Sequence, residues 1–462
     1  MMQLDVRSVA AITGGQILHN GADVAVQGIS SDSRTLQPGD LFVPLRGERF
    51  DGHDYLTQAV RNGAAACLSE EVVAGLTIPV VQVRDTLQAL GDLAHAVRQR
   101  FAGPVVGITG TSGKTTTKEM LAAILARTGP GLKSAGNFNN LIGVPQTLFG
   151  LAPEHRWAVI EMGMSARGEI ARLAQIAAPA IGVITNVGAG HLQQLGGISG
   201  VARAKGELFI HLPAEGTAIV NTDDPQIVQL PLANGVRRVT FGCSADAQVR
   251  GSAISSVDGT VRFTLHLPGE EVLVQLPVPG RHNVQNALAA AAAAWVLEVP
   301  AGEIAAGLGD FSPCPGRMEL IALANDILLL EDSYNANPLS MRAALEALDD
   351  LGRHGRRIAV LGDMLELGPT ARDLHREVGA LVAERADWLF TLGELASEIA
   401  AGAIERGLSP ERAVTAEDVE ELIAKLRGIV QPGDRILVKG SRGMRMERVG
   451  AALRGGVPTA GH

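Results

Sequence analysis

The 462-residue chain is short of several things, and each shortage removes a class of protein. Cysteine occurs three times, at Cys67, Cys243 and Cys314, far apart and odd in number. A disulfide framework or a structural zinc site needs paired spacing, so the chain reads as a reduced cytoplasmic protein. Positive charge is not in excess, since the formal net charge is −9. A general nucleic-acid binder carries a basic face, so no nucleic-acid partner is expected, and only a local anion site remains open. Long apolar runs are missing. The longest, ALAAAAAAWVL at 287–297, falls short of the roughly 20 residues that span a bilayer. The start, MMQLDVRSVAAITGG, has an acid at Asp5 and no apolar core of signal-peptide length, so no integral membrane segment is expected. Aromatics make up only 3%, while Ala and Gly abound, so helices and sheets should pack through small side chains.

What is present suggests roughly two to four domains by length. Residues 1–100 mix short strands, AAACLS and IPVVQV, with an amphipathic helix, DTLQALGDLAHAVRQRF. Residues 101–313 open on PVVGITG and continue with WAVIEMG, IGVITNV and TAIVN. Each apolar run is followed by a helical pattern or a turn, which predicts a parallel sheet with crossover helices. Residues 247–278 alternate apolar and polar around DG and PG turns, which predicts an antiparallel addition. SPCPGR at 312–317 reads as a hinge, and residues 314–462 start a second α/β series: ILLLEDSY, RRIAVLGDM, DWLFTLG and DRILVKGS. That series predicts a Rossmann-like third domain, although no G-x-G-x-x-G follows its first strand.

The chemistry concentrates in PVVGITGTSGKTTTKEM, 104–120. The usual phosphate loop is G-x-x-x-x-G-K-[ST]. Here its first glycine position holds Ile108, and Gly107 comes one residue early. The compact form that fits runs from Gly110 through Thr111, Ser112 and Gly113 to Lys114 and Thr115, with Thr116 beginning the helix. Two glycines let the backbone turn its N–H groups toward phosphate. Lys114 can offset β/γ-phosphate charge, the Thr115 hydroxyl can ligate Mg²⁺, and the helix start favours an anion. The competing reading is a strand-to-helix turn with a chance lysine. Glu161, His191 and Lys205 follow later strands, where open α/β sheets place ligands. Alone, each has a plainer reading: a solvated strand end, a loop histidine and a surface lysine. The residues by themselves reach a Mg-nucleotide enzyme and go no further.

Taken together, the motifs resemble the Mur ligase family, the ATP-dependent amide-forming ligases of peptidoglycan assembly, over essentially the whole chain. GTSGKTTT is similar to that family's ATP loop, EMG to its Mg-binding glutamate, TNVGAGHL to its metal-site histidine, and ARAKGELF to the segment with its carbamylated lysine. The resemblance implies a three-domain α/β architecture: an N-terminal domain over 1–100 for the UDP-MurNAc-peptide, a central parallel-sheet ATPase domain over 101–313, and a closing Rossmann-like domain over 314–462. It implies ATP, two Mg²⁺ ions and an N6-carboxylysine at Lys205, with Thr115, Glu161, His191 and Lys205 around the metals. GRHNVQNALAA implies adenine contacts from Asn283 and Asn286, with His282 nearby. Arg317 resembles an arginine that reaches phosphate, Asp332 a ribose-binding acid, and Lys439 and Arg442 lie on a basic loop. ISSDSRTLQPGDLFVPLRGERFDGHDY is similar to the family's uridine-nucleotide domain, with Ser33, Arg34, Asp51 and His53 as candidate contacts; SDSR also reads as a capped turn.

DSYNANPLSM, GNFNNLIGVPQT and LGDMLELG resemble the dipeptide-adding branch, and no D-N-P-R, expected of the third-residue-adding branch, occurs in the last region. That branch implies UDP-N-acetylmuramoyl-tripeptide and D-alanyl-D-alanine as substrates, an acyl-phosphate route, and contacts from Asn137, Asn140, Tyr334, Asn335 and Asn337. A monomer is expected. The alternatives are the third-residue-adding branch, the related folylpolyglutamate synthase, which would lack the first domain, and a non-catalytic nucleotide-binding regulator on the same fold.

Overall fold

A computed structural model of the chain describes residues 4–18, 21–73, 75–190, 195–257, 259–351 and 355–455. His191 lies outside the described residues. Among the described residues, three larger α/β sheets follow one another along the chain, and Leu4–Asp5 and Ala25–Val26 form an additional two-stranded antiparallel pair.

The first sheet has five short strands in the order Gln16–Ile17, Val80–Gln82, Ala66–Ser69, Asp40–Phe42, Gly28–Ser30. All neighbours are parallel except the first pair. The helix Thr86–Gln99 packs beneath it and starts where the Asp85 carboxylate accepts from Gln88 N at 2.8 Å, an N-cap that satisfies an orphan donor.

The second sheet has nine strands. Its order is Glu270–Leu276, Thr260–Leu267, Val249–Val257, Arg237–Gly242, Thr217–Asn221, Ile181–Ile184, Val105–Thr109, Ala158–Glu161, Leu132–Lys133. The seven from Val249–Val257 onward run parallel. Their central members are buried throughout, as expected of a sheet covered on both faces. The other two strands are antiparallel, in agreement with the alternation read from 247–278. Pro268-Gly269 forms the two-residue turn between them, and Gly269 supplies the positive φ of 93° that a type II turn needs at its second central residue.

The helix His282–Val296 is apolar all round and fully buried from Ala287 to Ala294. Small side chains set its packing against the helix Lys114–Ala126, as the scarcity of aromatics suggests. A third helix, Ala301–Gly309, approaches Lys114–Ala126 so closely that a Cβ on Gly307 would lie 2.4 Å from Ile124 Cα.

The third sheet runs Glu319–Ala322, Leu328–Asp332, Arg435–Lys439, Arg357–Gly362, Trp388–Leu392, Ala413–Ala416, parallel except for its first pair. Among the described residues no helix is long and apolar enough to cross a membrane.

Candidate active site

The carboxyl ends of the central strands meet at one cleft of about 1030 Å³, where an open α/β sheet places its ligands. The strand Val105–Thr109 runs straight into the glycine loop. Gly110 and Gly113 have φ of 155° and 78°, and no side chain fits at either. A Cβ would lie 1.9 Å from Thr185 Oγ1 at Gly110 and 2.2 Å from Asn286 Oδ1 at Gly113. The compact loop is therefore held by its neighbours as well as by its own turn. Asn186 Oδ1 accepts from Ser112 N at 2.9 Å, and Thr185 Oγ1 donates to the Ser112 carbonyl at 2.6 Å.

Lys114 folds back across the loop and donates to the Gly110 carbonyl at 2.8 Å. Burial pushes its pKa down, the Glu161 carboxylate opposes that, and Arg317 adds to it. Thr115 is buried behind the loop, and its hydroxyl donates to Glu161 Oε2 at 2.7 Å. Asn139 Nδ2 donates to the other Glu161 oxygen at 2.9 Å, and the buried Lys118 ammonium lies 3.8 Å away. Register places Glu161 beside Ile108, level with the loop's root. Lys205, on the helix Ile198–Ile210, is buried and lines the same cleft. Burial and the like charge of Lys114 hold its pKa well below the usual lysine range, so the neutral amine is favoured.

The third sheet closes the far wall. Arg317 stacks on Tyr334, its guanidinium carbon 3.9 Å from the ring centroid, and Arg442 approaches the same ring at 5.3 Å. Asp332 is engaged on both oxygens, by Met318 N at 3.1 Å and by the buried Lys439 ammonium at 2.5 Å. Lys439 also donates to the Asn335 carbonyl at 2.9 Å, so it is not the solvated loop residue its position suggests. His282 faces this pair. Burial, opposed by Asp332 and assisted by Lys439, pushes its pKa down to about 4, leaving the ring neutral.

The cleft thus gathers Gly110 to Lys114, Thr116, Asn137, Asn140, Glu161, Lys205, Asn286, Arg317, Asp332, Tyr334, Asn335 and Asn337. Two expectations are placed elsewhere. Asn283 is buried and does not line the cleft; its amide donates to the Pro279 carbonyl at 2.7 Å and accepts from Asn286 at 3.0 Å. Ser33 and Arg34 follow the strand Gly28–Ser30, and Asp51 and His53 lie at the start of the short helix Gly52–Tyr55; none of the four lines this cleft. Within that group, Asp51 accepts from His53 N at 2.9 Å and forms an ion pair with Arg46 at 3.2 Å, while Arg34 is exposed and bound to Asp32. Asn140 accepts from Gly143 N at 2.8 Å and so opens a helix as well as lining the cleft. Sequence reasoning passed over Asn139, Thr185 and Asn186, which hold Glu161 and the loop; Asn139 stands between two residues singled out in GNFNN, and Thr185-Asn186 follows its strand directly.

Thr115 Oγ1 and Glu161 Oε2 are hard oxygen donors within bonding distance of each other, next to a phosphate loop. That pairing fits Mg²⁺, which takes one or two protein oxygens and completes its shell with phosphate and water. The arrangement defines a class: enzymes that hold a nucleoside triphosphate on a phosphate loop and face it with a second α/β unit.

The particular family follows from comparison with known proteins. Residues 25–98 match the Mur ligase family catalytic domain, 108–294 the Mur ligase middle domain, and 316–442 the Mur ligase glutamate ligase domain. The UDP-N-acetylmuramoyl-tripeptide–D-alanyl-D-alanine ligase of Escherichia coli K12 is 40% identical over 98% of this chain and 99% of its own length. A crystal structure of MurF from Acinetobacter baumannii superposes with a TM-score of 0.92 at 34% identity, covering 99% of this chain and all of that one, 100%. The MurF ligase of Thermotoga maritima in complex with ADP superposes at 0.83 with 28% identity, covering 93% of this chain and 97% of that one. The chain belongs to the Mur ligase family of ATP-dependent ligases.

Proposed function

We propose that the chain joins D-alanyl-D-alanine to UDP-N-acetylmuramoyl-tripeptide with ATP, through an acyl phosphate, in cytoplasmic peptidoglycan precursor synthesis. The observation that supports this most is that Asp332, Tyr334 and Asn335, from the segment similar to the dipeptide-adding branch, share one cleft with the phosphate loop. Near-full-length similarity to ligases of that name points the same way.

The peptide carboxylate must meet the γ-phosphate, and two anions repel. Lys114 and Arg317 supply positive charge at fixed positions, where no reorganisation is needed during reaction. Mg²⁺ held by Thr115 and Glu161 would neutralise phosphate charge, and a carbamate on Lys205, with His191, would provide oxygen and nitrogen donors for a second ion. Lys205 suits that modification because its neutral amine is the form that adds CO₂. Asn286 and His282 would meet the base, and Asp332 with Lys439 the ribose, with Asn283 holding Asn286 rather than touching the base. Ser33, Arg34, Asp51 and His53 would hold the uridine end, away from the reacting centre. Asn137 and Asn140 would flank the peptide. The wall carrying Arg317 and Tyr334 excludes water, which would otherwise consume the acyl phosphate. The carboxylate oxygen takes the γ-phosphoryl group as the bond to ADP breaks and ADP leaves; the dipeptide amine then attacks the acyl carbon and loses a proton, and phosphate leaves as the amide forms. On this reading residues 1–100, 101–313 and 314–462 are the nucleotide-sugar, ATP and dipeptide domains.

The test is the mass of the product formed from ATP, Mg²⁺ and the UDP-linked tripeptide with either D-alanyl-D-alanine or single amino acids. Growth by the dipeptide alone is expected. Extension of a UDP-linked dipeptide by one amino acid would assign the third-residue-adding reaction instead.

A further inference from the structure

We propose that Asn337 is a positioning residue for the phosphate loop rather than a ligand of the dipeptide. Its side-chain amide holds the Ser112 hydroxyl and so couples docking of the third sheet to the shape of the loop.

Ser112 is gripped from below through its main chain. Its N–H donates to Asn186 Oδ1 at 2.9 Å, and its carbonyl accepts from Thr185 Oγ1 at 2.6 Å and Asn186 Nδ2 at 3.0 Å. The hydroxyl is the remaining polar group, and it meets a residue 225 positions away: Asn337 Nδ2 donates to Ser112 Oγ at 3.1 Å. The direction of that amide is set by its other bonds. Asn337 Oδ1 accepts from Ser340 N at 2.9 Å, and Ser340 Oγ accepts from Asn337 N at 3.0 Å, a reciprocal cap on the helix Pro338–Leu351. The oxygen bound by the cap also lies 3.4 Å from the Ser112 hydroxyl, which can donate to it, while the NH₂ group makes the shorter contact with the loop, so both ends of the amide hold Ser112. The contact continues one residue back along the loop and two residues on along the helix. Leu339 lies against Gly188, where a Cβ would be 3.3 Å from Leu339 Cδ2, and Gly188 N donates to Thr111 Oγ1 at 2.9 Å. Two adjacent loop residues are therefore pinned between the central strand ends and one capped helix.

A bond that exists only when the third sheet is docked stabilises the docked state, whichever substrate is varied. A dipeptide ligand would act on the dipeptide alone. Asn337→Ser keeps a capping oxygen but is too short to reach Ser112. Ser112→Ala removes the other partner and leaves the cap intact. Each is expected to lower kcat/KM for ATP and for D-alanyl-D-alanine by the same factor, roughly 2- to 12-fold for one neutral hydrogen bond. The double variant should lose no more than the larger single one. A rise in the dipeptide KM alone, or losses that multiply in the double variant, would overturn the proposal.

That kinetic arm rests on the ligase reading, and a wild-type protein without turnover would defeat that reading only. Small-angle X-ray scattering of the ligand-free chain needs no turnover. Each single variant should enlarge the radius of gyration, and the double should add nothing further. An unchanged radius in all three overturns the proposal.

Discussion

Thr115 Oγ1 donates a 2.7 Å hydrogen bond to Glu161 Oε2, and both side chains are buried. A threonine at the start of the loop helix and a glutamate at the end of a neighbouring strand are thereby held as one unit. Glu161→Gln preserves the acceptor for Thr115 but removes the charge and turns an amide toward the Asn139 donor. The variant should stay folded, lose about 100-fold or more in kcat/KM, and require more Mg²⁺. Phosphate release measured against Mg²⁺ concentration checks this; a wild-type Mg²⁺ curve would separate Glu161 from the metal.

Lys114→Ala removes a cation whose bonds in this state go to the Gly110 and Thr111 carbonyls of its own loop. Little packing is lost, so the melting temperature should stay within a few degrees of the parent. Turnover should fall about 100- to 1000-fold, the scale of losing a fixed electrostatic contact to the transition state. Thermal unfolding and steady-state rates on the same sample separate the two effects.

The loop helix is held from behind by a close crossing. Gly307→Ala would set a methyl 2.4 Å from Ile124 Cα, and backbone on both sides has little room to yield. Overpacking of that kind costs about 1–3 kcal/mol. Denaturant titration should show a lower midpoint with an unchanged slope, and nucleotide affinity should weaken as the helix shifts. A wild-type midpoint would mean the helices part more easily than the structure implies.

The same burial logic gives a pH dependence in the third sheet. Glu331 accepts from Ser333 and lies 2.8 Å from Arg454, yet burial outweighs these and raises its pKa. A raised folded-state pKa favours the protonated form. Its contribution is full below the ordinary glutamate range and is lost as pH rises through the folded value. Glu331→Gln imitates the protonated form. Its melting temperature relative to wild type should therefore be higher near pH 8 than near pH 4, and an equal offset at both would remove burial as the cause.

Much of this was legible in the sequence because periodicity and turn chemistry carry it. The central strands, the 247–278 hairpins and the loop helix are local patterns, and Lys114, Thr115 and Glu161 lie where strand ends place them. Relationships across long separations were not legible. Nothing in NFNN distinguishes Asn139, which reaches Glu161, from Asn137 and Asn140. Asn283 carries the adenine-side resemblance, but the Pro279 carbonyl nearby captures its amide. Lys439 reads as a solvated cation, and only the parallel pairing of its strand with Leu328–Asp332 brings it onto Asp332. Short edge strands such as Leu132–Lys133 and Ala413–Ala416 are too brief to show a period.

The central claim is that a carboxylate attacks ATP before the amine attacks the carboxyl carbon. A UDP-linked tripeptide labelled with heavy oxygen in its terminal carboxylate, incubated with ATP, Mg²⁺ and D-alanyl-D-alanine, tests it most directly. The account requires one labelled oxygen to appear in the released phosphate, and release to depend on the tripeptide. Phosphate free of label alongside a normal amide product would contradict the acyl-phosphate route.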